Sequence, residues 1–179
     1  MKKLVALLLI VLFSSSSCEK DDICDANTPT TPRLIIEFYD INNSSVLKNV
    51  TDLKVLGEGN EEAIIFNPTA TDYRKYTTSG TKIALPLKIN DQTTTYTFIL
   101  NSENSNTALI DTDKVTFNYS REDVFVSRAC GFKTLFQLSP TNAVVQTAIP
   151  ATKEKWMQYI SVEKSNIENE NDTHIKVFF

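Results

Sequence analysis

TTTYTFIL at residues 93–100 and KVTFNY at residues 114–119 decide the fold class. In the first, Tyr96, Phe98 and Leu100 fall at every second position, with Thr97 between them and Thr95 on the same side as Thr97. In the second, Val115, Phe117 and Tyr119 alternate with Thr116 and Asn118. Residues i, i+2 and i+4 share a face only in extended chain, so both segments read as half-buried strands. Their threonine, aromatic and β-branched content suits a pleated surface.

The same period recurs outward from this pair. Residues 33–40 set Leu34, Ile36 and Phe38 against Glu37 and Tyr39. Residues 82–89 set Ile83, Leu85, Leu87 and Ile89 against Lys82, Ala84, Pro86 and Lys88. Pro86 has no N–H for a ladder, which predicts an edge or bulged strand. Further extended runs cover 51–56, 63–66, 124–127, 132–138, 156–162 and 173–179. In the last, Ile175, Val177 and Phe179 are expected to face in, and His174 and Lys176 out. Residues 152–159 read as one or two helical turns, and Gly57-Glu58-Gly59-Asn60 as a turn between strands. Nine or ten short strands with polar punctuation imply an all-β chain. The expected architecture is an antiparallel β-sandwich, immunoglobulin-like or related, with a small β-barrel as runner-up. No repeat or second domain boundary interrupts residues 33–179.

Composition narrows function. The 179 residues carry 18 basic and 22 acidic side chains, a formal charge of −4, with one histidine, four glycines and three cysteines. The acidic balance excludes the basic footprint of a nucleic-acid binder. Few glycines leave little for phosphate-cradling loops, and Gly57-x-Gly59 is too short for one. No cofactor motif is present.

The amino terminus reads as an address. Met1-Lys2-Lys3 is followed by ten apolar residues, Leu4 to Phe13, then Ser14–Ser17 and Cys18. Ten apolar residues are too few to span a bilayer, and the pattern is that of a cleaved signal peptide over residues 1–17. Ser15-Ser16-Ser17-Cys18 resembles a relaxed bacterial lipobox of the kind found in Bacteroidota, with Ser15 where leucine is usual. That resemblance implies acylation of Cys18 and cleavage before it. Glu19-Lys20-Asp21-Asp22 resembles the surface-export signal of Bacteroidota lipoproteins. It implies display on the outer face of the outer membrane, a periplasm-facing anchor being the alternative. More than one acyl chain gives stable anchoring. Residues 18–32 then form an acylated start and short tether. Removal of the leader takes away Lys2 and Lys3, so 162 residues remain with 16 basic and 22 acidic groups, a charge of −6.

Cys18 consumed by lipid leaves Cys24 and Cys130. In an exported protein these are expected to form a disulfide. It would close a loop of 106 residues, worth about 4–5 kcal/mol in the chain-entropy view. The alternative is a thiol nucleophile at Cys130, for which His174 is the only available imidazole.

Other candidate chemistry is thin. His174 is expected to be exposed and has no G-x-S-x-G partner. Asn166, Glu168, Glu170 and Asp172 lie at alternate positions and are a weak calcium candidate, without the glycine and distal glutamate of an EF-hand loop. Asp111 and Asp113 read as turn residues ahead of a strand. Phe178-Phe179 resembles the aromatic end of outer-membrane barrels, but the strands are mostly shorter than the 9–11 residues such barrels need.

Taken together, Asp21-Asp22-Ile23-Cys24, residues 32–40 (PRLIIEFYD), Leu85-Pro86-Leu87 and residues 125–133 (FVSRACGFK) resemble a family of small Bacteroidota lipoproteins of unknown function. The resemblance implies the anchor and the paired cysteines; the family carries no assigned activity or catalytic residues, so it transfers no chemistry. The expected role is a non-enzymatic, surface-anchored binding or accessory module. Its partners would be the membrane, through the lipid, and an envelope protein or glycan. A structural envelope protein and a lipocalin-like carrier of an apolar ligand are the alternatives.

Overall fold

The computed structural model describes residues 23–28 and 30–179. The leader, Cys18 and the expected export signal Glu19, Lys20, Asp21 and Asp22 lie outside the described residues.

Twelve strands occur among the described residues: β1 (Leu34–Asp40), β2 (Asn43–Leu47), β3 (Leu53–Gly57), β4 (Thr77–Thr78), β5 (Lys82–Leu85), β6 (Thr93–Leu100), β7 (Asp111–Ser127), β8 (Gly131–Leu138), β9 (Val144–Ala148), β10 (Tyr159–Val162), β11 (Asn166–Ile167) and β12 (Ile175–Phe178). One sheet runs β10-β12-β1-β2, with β5 also on β1. The other runs β11-β8-β7-β6-β3-β4, with β9 also on β7. Neither closes on itself, so the chain is an open β-sandwich and not a barrel. Among the described residues the only parallel pairing joins β1 to β12; the other strand pairs are antiparallel.

The alternation read from the sequence builds the core. Leu34, Ile36 and Phe38 of β1 and Ile175 and Val177 of β12 come from one sheet. Leu53, Val55, Tyr96, Phe98, Val115, Phe117, Phe136 and Leu138 come from the other. These side chains form one contiguous cluster, and no barrel lumen separates the sheets. Burying a large apolar side chain is worth about 1.5–3 kcal/mol, so this cluster dominates stability. β5 lies on the edge and ends at Leu85, one residue before Pro86, as a missing N–H demands.

Several expectations are corrected. His174 is not exposed: it is fully buried. It precedes β12, and its ring replaces a carbonyl in the ladder beside β1. Residues 152–159 form turns and extended chain instead of helix, because Trp156 and Met157 insert between the sheets. Trp156 stacks on Phe38 at 6.4 Å and meets Phe179 edge-on at 5.5 Å. Residues 63–66 contribute only a bridge from Ala63 to Leu56. The runs 114–119 and 124–127 belong to one strand, β7, and Asp111 and Asp113 lie inside it. Strands β2, β4, β9 and β11 form where no alternating run is expected; β2 is exposed along its whole length. The expected turn at Gly57–Asn60 forms, with Asn60 N–H donating to Gly57 C=O and Gly59 at φ 86°.

Candidate functional site

β7 is seventeen residues long, about 56 Å of extended chain. That is far longer than any strand facing it. Its first part is flanked on both sides, by β6 through Asn118 and by β9 over Asp113–Phe117. From Tyr119 onward it pairs only with β8, register running from Tyr119–Leu138 to Phe125–Phe132. The distal half is therefore a two-stranded ribbon projecting from the sandwich. Such a ribbon is marginal by itself.

Two devices hold it. The free edge of β8 is taken by β11 at Phe136 and Gln137, and then by the amino-terminal segment, where Thr134 N–H donates to Thr31 Oγ1 at 2.9 Å. The second is covalent: Cys24 is disulfide-bonded to Cys130, with Cα atoms 4.9 Å apart and a sequence separation of 106. Cys130 sits in the β7–β8 turn, where its N–H donates to Ser127 Oγ at 3.0 Å and Gly131 takes φ 71°. A left-handed φ suits glycine, which has no Cβ to clash. Thr28 Oγ1 lies 3.7 Å from Cys130 Sγ. A pocket of about 280 Å³ opens beside the disulfide, lined by Thr28, Thr30, Thr31, Val126, Phe132 and Lys133 among others.

Residues directly opposite in an antiparallel pair point the same way. Phe125 and Phe132 thus continue the core-facing side that Tyr119, Leu138 and Phe136 begin. The opposing sheet has ended by then. The two rings pack edge-to-face at 5.4 Å and stay 57% and 68% exposed. Nothing in their spacing separates them from core phenylalanines, so the sequence does not reveal their exposure.

On the body side of the ribbon, a groove of about 480 Å³ is lined by Gln92, Thr93, Asn118, Ser120, Gln137 and Asn142 among others. Tyr119, Leu138 and Pro140 complete the wall, so apolar surface stands beside the hydroxyls and amides.

The sequence-derived candidates are placed as follows. Cys130 is held in the disulfide. His174 Nδ1 accepts from Ile35 N–H at 2.9 Å, and His174 N–H donates to Ile35 C=O at 3.1 Å. The neutral ring then carries its proton on Nε2, which is buried without a partner. Burial lowers the pKa of this ring below its ordinary 6.5. Cys130 and His174 are not brought into contact as nucleophile and base. The acidic stretch is also dispersed. Glu170 accepts Arg33 Nε at 2.8 Å and Nη2 at 2.5 Å, and this ion pair lowers its pKa. Asp172 accepts Lys164 Nζ at 2.5 Å and Asn169 Nδ2 at 2.9 Å. Glu168 borders a separate groove with Arg121 and Glu122, and Asn166 lies in β11. Among the described residues no three His, Cys, Asp or Glu side chains gather for a metal.

Asp113 is fully buried, which the sequence reading misses although 113, 115, 117 and 119 share one parity. Its Oδ2 accepts from Met157 N–H at 3.0 Å and Gln146 Nε2 at 2.9 Å, while Oδ1 has no partner. Gln146 Nε2 also donates to Met157 C=O at 2.7 Å. Together they fix the segment that carries Trp156 between the sheets. Burial raises the pKa of this carboxyl above its ordinary 3.8.

Comparison with known proteins adds a family and no activity. No curated protein and no solved structure matches the chain. A family model does match over residues 52–179, a span that includes Leu85-Pro86-Leu87 and residues 125–133 but begins after Cys24 and β1. The chain belongs to that family, DUF6452, a family of unknown function.

Proposed function

We propose that the chain is a lipid-anchored protein of the outer membrane, displayed on the cell surface, and acts as a non-enzymatic binding or accessory module. The leader, Cys18 after its serines, and Glu19-Lys20-Asp21-Asp22 motivate the anchor and the address. The observation that carries the reading is the disulfide at Cys24, six positions beyond Cys18. It clamps the start of the exported chain to its body, as suits a domain held close to its anchor. The two groups a thiol mechanism would need are committed elsewhere, Cys130 to Cys24 and His174 Nδ1 to the Ile35 backbone. The groove beside Asn118 and Gln137, with both amide and apolar lining, is the surface for a glycan or an envelope protein.

Mass spectrometry of the mature amino terminus tests the anchor: the expected species starts at an acylated Cys18. An unmodified Cys18, or an intact Met1, overturns it. Protease treatment of intact cells tests the address. Digestion of the body from outside is expected, and protection until the outer membrane is opened would place it in the periplasm.

A further inference from the structure

We infer that the tip of the β7–β8 hairpin is the membrane-facing end of the body, with Phe125 and Phe132 seated in the headgroup region of the bilayer that holds the Cys18 acyl chains. This rests on acylation of Cys18.

Reach is the first argument. Six residue steps separate Cys18 from Cys24, and extended chain spans at most ~3.3–3.6 Å per residue, so the leash is no longer than about 20–22 Å. It ends on the disulfide in the hairpin turn, so the tip is the part of the body held nearest the lipid. Without that bond the segment's next described contacts with the body are Thr28 Oγ1 against Cys130 Sγ at 3.7 Å and Thr31 on Thr134, so the leash would grow from six residue steps to ten or thirteen.

Surface chemistry is the second. The edge-to-face Phe125–Phe132 pair is joined at the same end by Ile23, which is 83% exposed beside Cys24. Arg128 is exposed in the turn between the two strands, a cation suited to anionic headgroups; Asp25, beside Cys24, is an exposed acid at the same end, and Asp123 and Glu122 lie further back toward the body. Exposed aromatic and aliphatic side chains with nearby cations are what interfacial segments use to enter the headgroup boundary. The other large exposed apolar residues, such as Val46, Ile65 and Leu109, are distributed along the chain, as is ordinary for a protein surface.

The test uses the full lipidated chain reconstituted into phosphatidylethanolamine–phosphatidylglycerol vesicles with brominated acyl chains. Phe132→Trp is compared with Leu109→Trp, which lies two residues before the opposite end of β7 and is 52% exposed in the parent. The buried Trp156 supplies a constant background. Bromine quenching at position 132 is expected to exceed that at 109 by at least about twofold, as interfacial burial requires. Phe125→Trp should repeat the result. Equal quenching at 132 and 109 in a chain that sediments with the vesicles overturns the orientation and leaves the anchor intact. A chain without acyl groups that stays in the supernatant overturns both. Adding Cys24→Ser and Cys130→Ser should bring quenching at 132 down toward that at 109; undiminished quenching would overturn the part assigned to the leash.

Discussion

In the first half of β7, Asp113, Val115, Phe117 and Tyr119 alternate into the core; in the second half, Arg121, Asp123 and Phe125 carry the same alternation into solvent. One strand thus holds two regimes. The first half is flanked by β6 and β9 and covered by the opposing sheet, so apolar burial secures it. The second has only β8 beside it, and is secured by a disulfide and the segment along its edge. Periodicity reports which way a side chain points. Whether anything stands opposite depends on where the other sheet ends.

The contrast can be broken most sharply in the core. Phe117→Ala should cost about 3–5 kcal/mol by chemical denaturation, since it opens a cavity under a fully buried ring. A loss below 1 kcal/mol would mean that the first half of β7 is not held by packing. Replacing both Cys24 and Cys130 with serine should cost about 2–5 kcal/mol. Its distinguishing mark is spatial: amide exchange should rise first over residues 120–135 and leave 111–119 protected. Uniform loss of protection would show that the two halves are one cooperative unit.

Asp113 sharpens the description of the first half. Asp113→Ala strands the Met157 N–H and the Gln146 amide and should cost about 1–3 kcal/mol. Asp113→Asn keeps an oxygen for both donors and should be at least as stable as the parent at pH 7. The sign follows from the raised pKa. The folded carboxyl binds its proton above the unfolded value, so the parent loses stability as pH rises from about 3.8 through the folded value. Asp113→Asn should abolish that loss.

His174 has the opposite sign. Its folded pKa is lowered, so the unfolded chain binds the proton first and stability is lost as pH falls below about 6.5. Protonation of Nδ1 would also end its bond to Ile35. A denaturation midpoint measured from pH 7 to 5 should fall less in His174→Asn, which can still accept from that N–H. A slope equal to the parent's would sink this reading.

The smallest effect is expected at the ribbon tip. Phe125→Ala with Phe132→Ala should change stability by no more than about 1 kcal/mol, the scale of one aromatic pair with little burial. A loss like that of Phe117→Ala would show that the tip is packed after all.

The sequence by itself determined the all-β class and the strands that build the core, and raised the pairing of Cys24 with Cys130 as an expectation that the structure bears out. Leu34, Phe98, Phe117 and Val177 sit where alternation sets them, because a period of two is local geometry. It also marked the edge at Pro86 and the turn at Gly59. Tertiary structure decided the rest. His174 and Phe132 both lie on apolar-rich runs, yet one is fully buried against a neighbouring strand and the other projects past the end of the opposing sheet. Asp113 looks like a turn residue until β6 and β9 pair on either side of it. The short strands β2, β4 and β11 form because longer neighbours offer an edge, whereas β9 carries Val144, Val145 and Thr147, which favour extension in their own right. The physical reason is the same throughout. The direction of a side chain is set by its own backbone, but its burial is set by chain that is remote in sequence.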